Sequence, residues 1–298
     1  MIGCIAAALL LVALPRDSLL QDIQDRIARE PGTTVGLAYI DLGTRDTVFL
    51  NADSSFHAAS TMKVPVMIEL FRSAAKGSFR MDQGLLLVNQ FASIVDGSPY
   101  SLNPAEDSDS TLYRRIGHRV AIDTLLRLMI ARSSNFATNT LIALVGAAEV
   151  TRTMRSLGAA RIQVLRGVED GKAFDKGLNN TTTARDLAII LRAIEEGRAG
   201  PPAATREMIQ ILLAQEFNGR IPAGVPAGVR VAHKTGDITA IAHDAAIVYP
   251  PGRKPYVLVV LTRGIQDARQ SDKLIADLSA IVFAHATAGI TRAVPGTN

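Results

Sequence analysis

Ser60-Thr61-Met62-Lys63 lies where a short polar approach, Phe56 to Ala59, runs into an apolar segment that reads as helical to about Phe71. A serine hydroxyl is a poor nucleophile at neutral pH and needs a neighbouring base. Residues i and i+3 of a helix share a face. At a helix start, Ser60 and Lys63 would place an amine beside a hydroxyl, near the positive end of the helix dipole. That field, with any second cation, lowers a lysine pKa toward a partly neutral amine. Four-residue patterns recur by chance, however. Taken alone, a solvated Ser and Lys on a helix account for this one.

Two later stretches carry related chemistry. Ser133-Ser134-Asn135 falls between two helical patterns. It offers a hydroxyl able to relay a proton and an amide able to hold a carbonyl or a lysine. Alone it reads as a helix N-cap. Lys234-Thr235-Gly236 closes a strand-like run. A cation, a hydroxyl and a glycine in a row suit an anionic substrate beside a strand, the glycine permitting close backbone approach. Alone it is a strand end meeting a turn.

Together and in this order, Ser-x-x-Lys, Ser-x-Asn and Lys-Thr-Gly match a known signature. The chain resembles the superfamily of class A β-lactamases and penicillin-binding proteins, and most resembles the class A branch, from about residue 20 to 287. Val225-Pro-Ala-Gly-Val-Arg-Val-Ala-His-Lys-Thr-Gly also resembles that family's approach to its last motif. The resemblance implies that Ser60 is the acylated nucleophile and Lys63 its base or proton partner. Ser133 would pass a proton to the leaving nitrogen. Asn135 would hold the substrate's side-chain amide and the lysine. Lys234 and Thr235 would bind a substrate carboxylate. The N–H groups of Ser60 and Asp237, just after Gly236, would form the oxyanion hole.

Release of the acyl group requires a base. Class A members carry a glutamate on a long loop between the second and third motifs. Residues 166 to 183 occupy that place, and Asn180-Thr-Thr-Thr resembles the loop's exit. Glu169 is the candidate base, with an acidic turn beside Asp170 as the alternative reading. The family's compact Glu-x-x-Leu-Asn is absent. Asn179, ten residues on, is the candidate to hold the water. Other positions also depart from the pattern. Ser134 replaces an aspartate in the middle motif, and Asp237 adds a negative charge after Lys-Thr-Gly. The arginine often found on the next strand is missing from Ala242-His243-Asp244. Arg220, just before the last motif, would replace it, with His243 as competitor. The polar loop 95 to 111 looks longer than usual.

The elements that must position these groups read as follows. Residues 17 to 29 form an amphipathic helix stopped by Pro31-Gly32. Thr33 to Asp41 and Thr47 to Asn51 form a hairpin. From 60 to about 215 the pattern is almost wholly helical, with best candidates at 61–75, 120–132, 135–145, 148–157, 184–196 and 205–214. Val229 to Lys234, Ala242 to Tyr249 and Tyr256 to Thr262 are strand-like, and 268 to 286 is a closing helix. The expected class is α/β of the α+β type. A mainly antiparallel sheet is built from both chain ends and flanked by helices, with an inserted all-helical subdomain. The expected division is a single catalytic domain from 17 to 298, with an α/β lobe (17–59 with 216–289) and a helical lobe (60–215). The site would lie at their seam.

The 298 residues suffice for one large domain with a full core. Net charge is +4, but the basic residues are scattered, without the Lys/Arg run that nucleic-acid binding needs. The single cysteine, Cys4, excludes an internal disulfide and a Cys-based metal site, and the five histidines show no metal-ligand spacing. No metal or organic cofactor is expected, only a small-molecule β-lactam substrate and a monomeric chain. Residues 2 to 14 are apolar, too short to span a membrane and suited to a signal-peptide core. They imply a periplasmic or secreted protein, with a buried N-terminal helix as the alternative; a lipid anchor at Cys4 lacks the usual preceding pattern. Three activities share this site chemistry: a serine β-lactamase, a D,D-peptidase or esterase acting on related substrates, and a β-lactam binder that forms a stable adduct or none.

Overall fold

The computed structural model describes residues 16–288. The apolar run 2–14, with Cys4, lies outside the described residues. The chain opens with helix α1 (Arg16–Ile27), whose Leu19 and Ile23 are fully buried. The hairpin β1 (Thr34–Asp41) and β2 (Thr47–Leu50) follows. Then come β3 (Phe56–His57), a 3-10 turn (Ala59–Met62) and α2 (Lys63–Ala75). The middle of the chain supplies β4 (Gly84–Leu86), β5 (Phe91–Ala92), β6 (Pro99–Tyr100), β7 (Arg119–Ala121), α3 (Ile122–Ala131), α4 (Asn135–Val145) and α5 (Ala147–Ser156). Next are α6 (Gly171–Asp175), β8 (Thr181–Thr182), α7 (Ala184–Glu195) and α8 (Pro202–Leu213). Three long strands, β9 (Arg230–Ile238), β10 (Ile241–Tyr249) and β11 (Tyr256–Arg263), and the helix α9 (Ala268–Thr287) complete it.

One five-stranded antiparallel sheet, in the order β2-β1-β11-β10-β9, joins the two ends of the chain. Its central strands are apolar on both faces because both faces are covered. Val35, Leu37, Tyr39, Leu258 and Val260 pack with Leu274, Ile275 and Leu278 of α9 and with α1. Ala38, Ile40, Val257, Val259 and Leu261 belong to the core shared with α2, α4 and α7. Each fully buried aliphatic side chain contributes roughly 1.5–3 kcal/mol, so the sheet is fixed from two sides and makes a rigid floor.

The structure departs from the sequence expectation in three places. The stretch 60–215 holds two two-stranded ribbons, β4–β7 and β5–β6, and one strand of a third, β8, which pairs with β3. Their strands are two or three residues long, too short for alternation to show. Helix α8 starts at Pro202 rather than 205, proline being well suited to a first turn. Lys234-Thr235-Gly236 lies inside β9, not at its end, because β9 continues to Ile238 and turns into β10 through Thr239-Ala240. Ala240 takes the left-handed conformation there (φ 55°), a position usually marked by Gly or Asn.

Candidate active site

Ser60 sits in the 3-10 turn that feeds α2 and is half-buried. The turn is pinned on both sides. Ala58 N–H donates to Asn180 O at 2.8 Å, Ala59 N–H to His57 Nδ1 at 3.0 Å and Thr61 Oγ1 to Ala58 O at 2.5 Å. Its lower side rests on Gly236. A Cβ at that position would lie 3.0 Å from both Ser60 N and Thr61 N. A side chain there would crowd the backbone of Ser60 and Thr61.

Lys63, the first residue of α2, is fully buried. Its amine donates to Ser133 O, to Ser133 Oγ at 3.1 Å and to Asn135 Oδ1 at 2.9 Å. All three acceptors come from the second motif. Burial and the nearby Lys234 charge push Lys63 well below the usual lysine range, with Asp107 and Glu169 pulling the other way. Ser133 is held left-handed (φ 58°) and its Oγ also accepts from Lys234 Nζ at 3.0 Å. Lys234 is fully buried too, and desolvation pushes it down to about 7. With both lone pairs of Ser133 Oγ taken by amines, its O–H is left to donate elsewhere.

Asn135, the first residue of α4, links Lys63 to a carboxylate: its Nδ2 donates to Glu169 Oε1 at 2.6 Å. Burial raises the Glu169 pKa above the usual carboxylate range, the Asn135 bond opposing. Glu169 is itself left-handed (φ 62°), and the backbone just before it is gripped by Asn139. Asn139 Oδ1 accepts from Val168 N at 2.6 Å and its Nδ2 donates to Val168 O at 3.0 Å. Sequence reading missed Asn139, although it lies four residues after Asn135 and so on the same helix face. Asn179 is placed beside Arg166, whose Nη2 donates to it at 2.9 Å. It takes no part in the bonds joining Glu169 to Lys63. Its neighbour Asn180 closes the loop instead, accepting from Leu165 N at 2.8 Å and Arg166 N at 3.2 Å.

The last motif is built over Arg220, which is buried beneath β9 and β10. It donates to Asp272 Oδ1 at 2.6 Å, His243 O at 2.7 Å and Gly236 O at 3.3 Å, and pairs with the Asp237 carboxylate. His243 is fully buried, and desolvation pushes it down to about 4. It is neutral near pH 7 and supplies no charge. Of the two candidates for the missing strand arginine, only Arg220 is a cation at the site. Among the described residues, no group of three His, Cys, Asp or Glu side chains is arranged to hold a metal ion. A separate cavity of about 720 Å³, lined by Pro226, Arg230, Tyr249 and Phe283, lies at the far end of β9 and holds no motif residue.

A model of the Beta-lactamase enzyme family matches residues 18–286. The chain belongs to that family. As a family member it is similar to β-lactamase AST-1 of Nocardia asteroides, 32% identical over 84% of this chain and 78% of that protein. It is also similar to the carbapenem-hydrolyzing β-lactamase KPC of Klebsiella oxytoca, 29% identical over 89% of this chain and 86% of that one. Among solved structures, PBP-A superposes with a TM-score of 0.79 at 27% identity, over 92% of this β-lactamase-family chain and 98% of that one.

Proposed function

We propose that the protein is a serine β-lactamase that forms an acyl-enzyme on Ser60 and releases it through water activated by Glu169. The observation that carries this reading is the unbroken run of hydrogen bonds Glu169–Asn135–Lys63–Ser133–Lys234, which ends in a carboxylate. Lys63, which with three acceptors is an ammonium at rest, acts in the deprotonated form that its depressed pKa favours, and takes the Ser60 proton as Oγ attacks the lactam carbonyl. The C–N bond breaks, and the ring nitrogen takes the Ser133 proton, which Lys63 restores. The N–H groups of Ser60 and Asp237 stabilise the oxyanion, each such donor being worth about 3–4 kcal/mol. Glu169 then takes a proton from water as the hydroxide attacks the ester. The ester C–O bond breaks, Ser60 recovers its proton, and the hydrolysed acid leaves. Lys234, Thr235 and Arg220 favour a substrate carboxylate, and the second N–H of Asn135 Nδ2 is available to the substrate's amide carbonyl.

Side chains and backbone N–H groups of the protein, with water, supply every step. Export to the periplasm or medium and a monomeric state belong to the same reading. Export rests on the apolar run 2–14, and among the described residues no helix is long and apolar enough to cross a membrane.

The test follows hydrolysis of a chromogenic cephalosporin together with intact mass. Wild type should turn over continuously, Ser60→Ala should do nothing, and Glu169→Ala should accumulate an adduct. A single stoichiometric adduct on wild type without turnover would overturn the reading in favour of a β-lactam-binding protein. Neither adduct nor hydrolysis would move it to another serine hydrolase.

A further inference from the structure

Ser134 stands where the three-motif signature has aspartate. Its hydroxyl caps α4 by accepting from Ala137 N at 3.3 Å, leaving the first two amides of the helix to another partner. That partner comes from the 95–111 loop. Asp107 Oδ1 accepts from Asn135 N and its Oδ2 from Phe136 N, each at 2.9 Å. The same carboxylate accepts from Tyr113 Oη at 3.0 Å and Asp109 N at 3.2 Å, and Asp107 is only 9% exposed. The Tyr113 ring, in the 3-10 turn (Thr111–Arg115) that follows the loop, lies on Phe136, centroids 4.9 Å apart, so the loop's end is also held by apolar contact.

We infer that Asp107 is a positioning residue: from the loop it supplies the carboxylate that Ser134 lacks at the head of α4, and through Asn135 it sets Lys63 against Glu169. The inference rests on the functional reading above for its catalytic consequence. A carboxylate accepting two backbone N–H groups at a helix start is bound by charge-assisted bonds and by the helix dipole. The residue so fixed is Asn135, whose amide bridges the Lys63 amine at 2.9 Å and the Glu169 carboxylate at 2.6 Å. A small rotation of that one backbone unit moves both contacts. The long loop therefore has a mechanical role in the site.

A four-variant cycle tests this: wild type, Asp107→Ala, Ser134→Asp and the double variant, by thermal melting and by cephalosporin kinetics below all melting points. Asp107→Ala should lower Tm by about 5 °C, as for a lost cap. It should slow kcat roughly tenfold, a loss of about 1.4 kcal/mol in transition-state stabilisation, with acyl adduct visible by mass. Ser134→Asp should restore part of both in the Asp107→Ala background and lower both in wild type, where two carboxylates would crowd one helix end. Equal effects of Ser134→Asp in the two backgrounds overturn the inference. So does an Asp107→Ala enzyme that melts early yet keeps wild-type kcat, since Asp107 is then an anchor only. Should Asp107→Ala not fold, Asp107→Asn, which keeps the shape and one acceptor oxygen, takes its place. If wild type does not hydrolyse the probe, the functional reading fails, while the melting cycle still decides whether Asp107 stands in for the motif carboxylate.

Discussion

Asp237 sets its charge against the anionic substrate proposed for its neighbours. On the proposed reading Lys234, Thr235 and Arg220 favour an anion, yet Arg220 is paired with the Asp237 carboxylate, whose side chain is 57% exposed. A substrate carboxylate reaching Lys234 meets that charge and a cation already partly neutralised. Two unit charges 4 Å apart interact by about 1 kcal/mol in water and about 4 kcal/mol near a protein surface. Asp237→Asn should therefore lower KM for a carboxylate-bearing β-lactam by about three- to tenfold, the gain shrinking at high salt. KM for an uncharged ester should stay put. An equal change for both substrates would mean a rearranged strand rather than a removed charge. The motif residues were legible in the sequence because each motif packs its chemistry into three or four consecutive positions. Asp107 and Asn139 were not, since their partners, Asn135 and Val168, lie 28 and 29 residues away in the chain. No local pattern records such a contact.

At the scale of elements, two close approaches position the chemistry. The first is β9 against the nucleophile turn. Gly236→Ala would push a methyl group against Ser60 N and Thr61 N, both backbone atoms that cannot swing away. Acylation should fall at least tenfold, roughly 1.4 kcal/mol or more in transition-state energy. Stopped-flow acylation checks this, and an unchanged rate would show that the turn yields. The second is α4 against the base's loop. A Cβ on Gly167 would collide with Asn139 Oδ1 and lie 2.8 Å from its Cγ, breaking the grip on Val168. Gly167→Ala and Asn139→Ala should both slow release of the acyl group more than its formation, so adduct builds up. Equal slowing of both steps would place Asn139 outside the base's control. The long strands and helices were legible because their apolar faces span several turns or pleats. The ribbons β3–β8, β4–β7 and β5–β6 were not, being set by pairing with distant segments.

At the scale of the whole molecule, burial of the ionisable groups comes from the sheet and the helical block closing on each other, with the two loops latched above. Ser93 Oγ and Ile94 N each donate to Asp170 at 2.9 Å, and Lys172 pairs with Asp96 at 2.7 Å. That closure moves three groups with opposite consequences. In the proposed mechanism Glu169 acts as a base only when ionised and only in release of the acyl group, and its pKa is raised, so kcat should fall on acidification before an ordinary carboxylate would protonate. In the proposed mechanism Lys234 would hold a carboxylate only when charged, so kcat/KM for anionic substrates should fall as pH rises past about 7. Stability follows a different rule. Between pH 7 and 9 the unfolded chain keeps Lys234 protonated while the folded chain has released that proton, so unfolding takes up protons and stability rises with pH. His243, depressed to about 4 from an ordinary 6.5, contributes stability that is complete above 6.5 and lost as pH falls toward 4. Activity and Tm measured from pH 4 to 9 should therefore fall together on the acid side and part company above pH 7. Tm falling in step with kcat/KM between pH 7 and 9 would mean that Lys234 is held charged in the folded enzyme, and that the alkaline limb belongs to global unfolding.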